Sequence, residues 1–105
     1  MYMQVVTFGL NGISVSEFHE LCDSLAETWA EIPGLMSKVW IENAETNSYG
    51  GIYTWESRAA MEAFVQSELF QAVAANPHFS DAGFQSFEVL ASPTRITRGF
   101  AAVPA

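Results

Sequence analysis

The chain has 105 residues, half of them hydrophobic and 13% aromatic, which suits one folded domain with its own core and excludes intrinsic disorder. Twelve acidic residues against four basic ones give a formal net charge of −8, a balance that repels phosphate backbones and anionic membranes and argues against nucleic-acid or membrane partners. No apolar run approaches the roughly 20 residues of a membrane helix, and MYMQVVTF lacks the basic region of a signal peptide, so a cytoplasmic location is expected.

In chain order, Tyr2 to Leu10 is rich in β-formers, with Gln4, Val6 and Phe8 alternating with Met3, Val5 and Thr7, and predicts a first strand. Asn11-Gly12 breaks it. Ser14 and Glu17 have capping-box spacing and open a helix expected to run to about Ile32. At about 100° per residue, Phe18, Leu21, Cys22, Leu25, Trp29 and Ile32 share one arc, while Glu17, Glu20, Asp23, Glu27 and Glu31 mark the solvated side. Cys22 suits a small buried thiol and has no second cysteine to pair with. Pro33-Gly34 stops the helix.

Leu35 to Glu42 reads as the second strand, with Leu35, Ser37, Val39 and Ile41 on one face and Met36, Lys38, Trp40 and Glu42 on the other. A polar loop over Asn43 to Ser48 leads into a third strand, Tyr49 to Glu56. Ser57 caps a second helix, on which Ala60, Met61, Phe64 and Val65 fall at helical spacing; Ser67 caps a short further one over Glu68 to Ala75. Asn76-Pro77 ends it, and His78 is expected in solvent. A fourth strand is expected over Phe84 to Ala91, closed by Pro93, and the remainder shows no clear period. The order β-α-β-β-α-β predicts an α+β, ferredoxin-like domain over residues 1–91 with a tail over 92–105: an antiparallel sheet with both helices on one face. Strands apolar on both faces leave the uncovered face in need of a partner, and a two-fold homodimer joined sheet to sheet is the expected solution.

The stretch Pro33 to Phe64 concentrates the chemistry: two of three tryptophans, two of three tyrosines, the only lysine and the Gly50-Gly51 pair. A glycine pair inside a strand marks a bulge or a close approach. One register pairs Glu42 with Tyr49 and sets Trp40 across from Gly51 and Lys38 across from Tyr53; a shift of one residue would send the tyrosines and Trp55 to the other face. The indole then covers the bare glycine, and Lys38, Trp40, Glu42, Tyr49, Tyr53 and Trp55 share a face. Strand aromatics are ordinarily packing. A lysine and a glutamate among them are not, because buried charge needs a partner. Lys38 and Glu42 stand roughly 13 Å apart along the strand, too far to pair with each other.

The residues Pro33-Gly34, Lys38-Val39-Trp40, Glu42, Gly50-Gly51-Ile52-Tyr53 and Ala63-Phe64, with FGLNG at Phe8 to Gly12, resemble the YdhR-like monooxygenases of the antibiotic-biosynthesis-monooxygenase superfamily. The resemblance implies a dimeric α+β barrel of two ferredoxin-like subunits. It also implies oxygenation of an aromatic or polyketide-like small molecule by O2, with no metal, flavin or haem as cofactor. Such chemistry needs an electron-rich substrate that can lose a proton, an apolar pocket, a base and a group that stabilises the anion. The catalytic candidates are Lys38 as anion stabiliser, Tyr53 as hydrogen-bond donor, and Glu42 and His19 as bases. Trp40, Trp55, Gly51 and Tyr49 are the substrate-binding candidates, the two indoles as walls for a planar ring. A cyclase or isomerase using the same pocket for proton transfer, and a non-catalytic binder of a hydrophobic ligand, are the alternatives. His19, Cys22 and Asp23 invite a metal reading, but Cys22 lies in the apolar arc and Asp23 outside it, so no metal site is expected. Arg58 is placed to pair with Glu62 at i,i+4.

Overall fold

The computed structural model describes residues 1–100. The elements follow the expected order, with two additions, a 3-10 turn and a last helix: β1 (Tyr2–Leu10), α1 (Val15–Ala30), β2 (Leu35–Asn43), a 3-10 turn (Ala44–Thr46), β3 (Ser48–Trp55), α2 (Arg58–Val65), α3 (Glu68–Ala74), β4 (Phe79–Glu88) and α4 (Ala91–Ile96). The four strands form one antiparallel sheet in the order β2-β3-β1-β4, the ferredoxin-like arrangement. β1 and β3 therefore lie in the centre, and β2 and β4 are edges.

Local chemistry accounts for the ends of the elements. Ser14 accepts from the Glu17 amide while the Glu17 carboxylate accepts from the Ser14 amide, the capping box that starts α1. Ser57 and Ser67 cap α2 and α3 in the same way through their hydroxyls. α1 ends at Ala30, slightly before the expected point, and Gly34 turns the chain at φ +80, where a side chain would also run into Ala60. Arg58 Nε donates to Glu62 at 2.8 Å, as the i,i+4 spacing predicts.

Three expectations are corrected. β4 begins at Phe79 rather than Phe84 and ends at Glu88 rather than Ala91. Its opening residues include Asp81 at φ +52, and the β1–β4 ladder shifts register between Thr7 and Gly9, so an irregular strand was hidden in turn-like residues. Pro93 does not close a strand: it sits in the first turn of α4, where a missing amide costs nothing. The expected tail thus starts inside a helix, and its last five residues lie outside those described. Finally, the ladder shifts between Leu35 and Ser37, so Leu35 pairs with Trp55 and packs against the core instead of sharing the face of Ser37, Val39 and Ile41.

The helices cover one face of the sheet. Phe18 of α1 meets Phe8 and Tyr49, Phe64 of α2 meets Tyr53 and Trp55, and Phe70 of α3 meets Phe84. Burial in β3 alternates accordingly, with Tyr49, Gly51, Tyr53 and Trp55 buried and Ile52 and Thr54 half-buried. The register puts Met3, Val5, Val39, Ile41, Ile52 and Phe87 on the opposite face, where Val39 is 46% and Phe87 52% exposed.

Candidate functional site

The β2–β3 register sets Lys38 opposite Tyr53, Trp40 opposite Gly51 and Glu42 opposite Tyr49, as the alternation and the glycine pair predict. The side chains settle differently from expectation. A Cβ on Gly51 would come within 2.5 Å of Lys38 Cε, so the lysine stem, and not the indole, crosses the bare backbone. The Trp40 ring stands beyond it, its centroid 3.3 Å from Lys38 Nζ. Trp29 of α1 and Tyr53 of β3 complete an aromatic enclosure, at 4.7 and 4.8 Å from Nζ. Gly50 has a different cause: any side chain there would overlap the carbonyl oxygen of Val6 on the neighbouring strand.

The enclosure determines the electrostatics. Burial among the rings disfavours the ammonium and brings Lys38 down to about 7, partly opposed by the Cys22 thiol. The ring faces favour the charged form, so both protonation states are accessible near neutral pH. Burial pushes Tyr53 up to about 12, against the hydrogen bond its hydroxyl accepts from Trp29 Nε1 at 3.2 Å. Tyr53 therefore keeps its proton, and its oxygen is held in place. Burial raises the Cys22 thiol as well, and Lys38 draws it back.

Glu42 finds its partner on the helix rather than on the next strand. His19 Nε2 and Glu42 Oε1 lie 2.5 Å apart, joining α1 to β2 at the solvent edge. This pair stands at an open cavity of about 460 Å³ between α1 and β2, whose walls include Phe18, Cys22, Asp23 and Trp40. A second, narrow cavity of about 40 Å³ shares Phe18, Cys22 and Trp40 with it and is also lined by Lys38, Gly51 and Tyr53. On the other side of Trp40, a recess of about 260 Å³ is bounded by Lys38, Trp29 and Met36.

Six of the eight candidate residues are therefore brought together: Lys38, Glu42, Tyr53, His19, Trp40 and Gly51. Trp55 and Tyr49 are not. Trp55 is 0% exposed, stacked on Tyr53 at 5.9 Å and bonded through Nε1 to the buried Gln4; it lies in the core, away from these cavities. Tyr49 is equally deep, edge-on to Phe18. The two indoles therefore do not face each other across a ligand, because Trp55 is on a central strand and Trp40 on an edge. Trp29 was read as helix packing alone. It is also a wall of the lysine enclosure, and its place on the α1 arc that must face β2 was the available signal. His19, Cys22 and Asp23 all line the open cavity, yet among the described residues no three such groups come close enough to hold a metal ion. His78 is exposed as expected, but its Nδ1 bonds the Asn11 carbonyl at 2.9 Å.

Residues 3–100 match the family model described as "Putative mono-oxygenase ydhR". No curated protein matches the sequence. Among solved structures, an antibiotic biosynthesis monooxygenase of Deinococcus radiodurans, itself assigned as putative, superimposes with a TM-score of 0.70 at 16% identity, over 85% of this chain and 92% of that one. SnoaB of Streptomyces nogalater, a cofactor-independent oxygenase, gives 0.66 at 22% identity over 87% and 94%. The haem degrader MhuD of Mycobacterium tuberculosis, with two haems bound in its active site, gives 0.69 at 20% over 86% and 96%. At these identities the likeness is one of fold.

Proposed function

The chain belongs to the ydhR mono-oxygenase family, and on that premise we propose that its α1–β2 cavity binds an aromatic or polyketide-like small molecule and adds oxygen to it from O2 without a cofactor. The observation that carries this reading is Lys38: an amine with a value near 7, enclosed by three rings, of which Trp40 also walls the open cavity. Its neutral form takes a proton from a phenol or an activated methylene, and the ammonium so formed stabilises the anion beside it. Tyr53, neutral and with its oxygen held by Trp29, donates its own proton in a hydrogen bond to a substrate oxygen. The anion transfers an electron to O2 and recombines as a hydroperoxide. Loss of water then leaves one oxygen atom in the product as a carbonyl and the other in the water. Trp40 walls the ring, and the His19–Glu42 pair carries protons between cavity and solvent. The apolar outer face, with Val39 and Phe87 half exposed, supports a homodimer closed sheet to sheet.

The test is turnover of anthrone and of hydroquinones by metal-stripped protein under 18O2. One labelled atom per product is expected, and Lys38→Met should lower kcat by roughly 10²-fold or more, the usual scale of a lost proton acceptor. Product formed without O2 consumption would replace the oxygenase by a cyclase or isomerase. Binding with no product under any gas would leave a ligand carrier. Sedimentation should give twice the chain mass; a monomer at micromolar concentration rejects the dimer.

A further inference from the structure

The two ion pairs among the described residues are His19–Glu42 and Arg58–Glu62, and neither involves the chain's only lysine. No side-chain nitrogen or oxygen in the described interior is both sealed and unpartnered. Lys38 Nζ, which has no hydrogen-bond acceptor among the described residues, therefore opens onto cavity space. Its stem is fixed by Gly51, which leaves the methylenes a bare track and directs the amine between Trp40 and Trp29. An uncharged amine so placed, with no side-chain donor among the described residues hydrogen-bonded to its lone pair, is a nucleophile.

We propose that Lys38 is a covalent capture site for conjugated aldehydes and ketones, forming an imine with a carbonyl compound seated against the Trp40 ring. Nζ attacks the carbonyl carbon, the C=O electron pair moves to oxygen, and a proton passes from nitrogen to that oxygen. The carbinolamine then loses hydroxide, protonated to water, as the C=N bond forms and the remaining nitrogen proton leaves. Nothing is oxidised or reduced. Tyr53, whose ring borders Nζ and whose hydroxyl is held by Trp29, supplies the proton for the departing water and takes back the one that nitrogen loses. The recess of about 260 Å³ beside Lys38 has room for a single substituted ring. The activity needs no O2, so it stands or falls apart from the oxygenase reading.

The test is anaerobic reductive trapping at pH 7 with 4-hydroxybenzaldehyde and cyanoborohydride, read by peptide mass mapping. With one lysine, the competing amine is the Met1 terminus, whose labelling serves as an internal reference. Lys38 should be alkylated at least about tenfold faster than free Nα-acetyl-lysine amide, with a rate that saturates in aldehyde. Lys38→Arg should leave only the Met1 adduct, and Trp40→Ala should slow labelling of Lys38 without changing that of Met1. Label confined to Met1, or a Lys38 rate that matches the free amino acid, overturns the proposal. If Trp40→Ala does not fold, the rate ratio and saturation of the unaltered protein decide alone.

Discussion

β2 and β3 present much the same residues to the same side of the sheet, and their fates are opposite. β3 contributes Tyr49, Tyr53 and Trp55; β2 contributes Lys38, Trp40 and Glu42, directly across. On the central strand the aromatics are sealed, with Trp55 at 0% exposure. On the edge strand Trp40 is 37% exposed and faces cavities on both sides. An edge has neighbours on one flank only, so a side chain there can be packed and still reach a ligand. Position in the sheet, more than residue type, separates core from site. Tyr53 is the exception: it is buried, yet its ring and hydroxyl border the lysine enclosure.

Substitutions can break this contrast. Trp55→Ala should have the largest effect, destabilising the fold by about 3–5 kcal/mol in denaturant titration, since it empties a large sealed site and strands Gln4. Trp40→Ala should lower stability by only about 1–2 kcal/mol, because its ring was already partly in solvent, while weakening binding of an aromatic ligand by roughly tenfold or more in a calorimetric titration. Equal losses of stability in the two variants would erase the distinction between centre and edge. The pH dependence of stability tests the lysine enclosure itself. Lys38 has a lower value folded, about 7, than unfolded, so folding releases a proton between roughly pH 7 and 10 and stability should rise with pH across that window. Tyr53 acts in the opposite direction: raised to about 12, it holds its proton where the unfolded chain loses it, and stability falls from about pH 10 upward. Melting curves of Lys38→Met should lack the rise between pH 7 and 10 and retain the fall above it.

The sequence carried the fold in its periodicity. Alternation, three serine caps and one glycine pair predicted the element order and the register at Gly51, because those signals are local and each has one ready physical meaning. What it did not carry depends on neighbours. The start of β4 at Phe79 was concealed by the turn-forming types Ser80, Asp81 and Gly83, of which Ser80 and Gly83 find partners on β1. Pro93 opens a helix or closes a strand equally well in isolation. Whether Lys38 or Trp40 would lie on Gly51 is decided by side-chain torsions, and so was the pairing of Glu42 with His19, a helix away. Trp55 was included among the ligand walls because strand direction does not reveal which strand becomes the edge.

The acidic surface sets a condition on what enters. Asp23 and Glu42 flank the open cavity of a chain carrying a net charge of −8, while the one lysine lines the smaller cavity that shares Phe18, Cys22 and Trp40 with it. A phenolate or carboxylate arriving from solvent meets a repulsive potential at the mouth, whereas the uncharged acid does not. Under the proposed function, a ligand would enter neutral and ionise only beside the amine. Added salt screens the mouth, and should speed the association of anions while leaving that of neutral phenols unchanged.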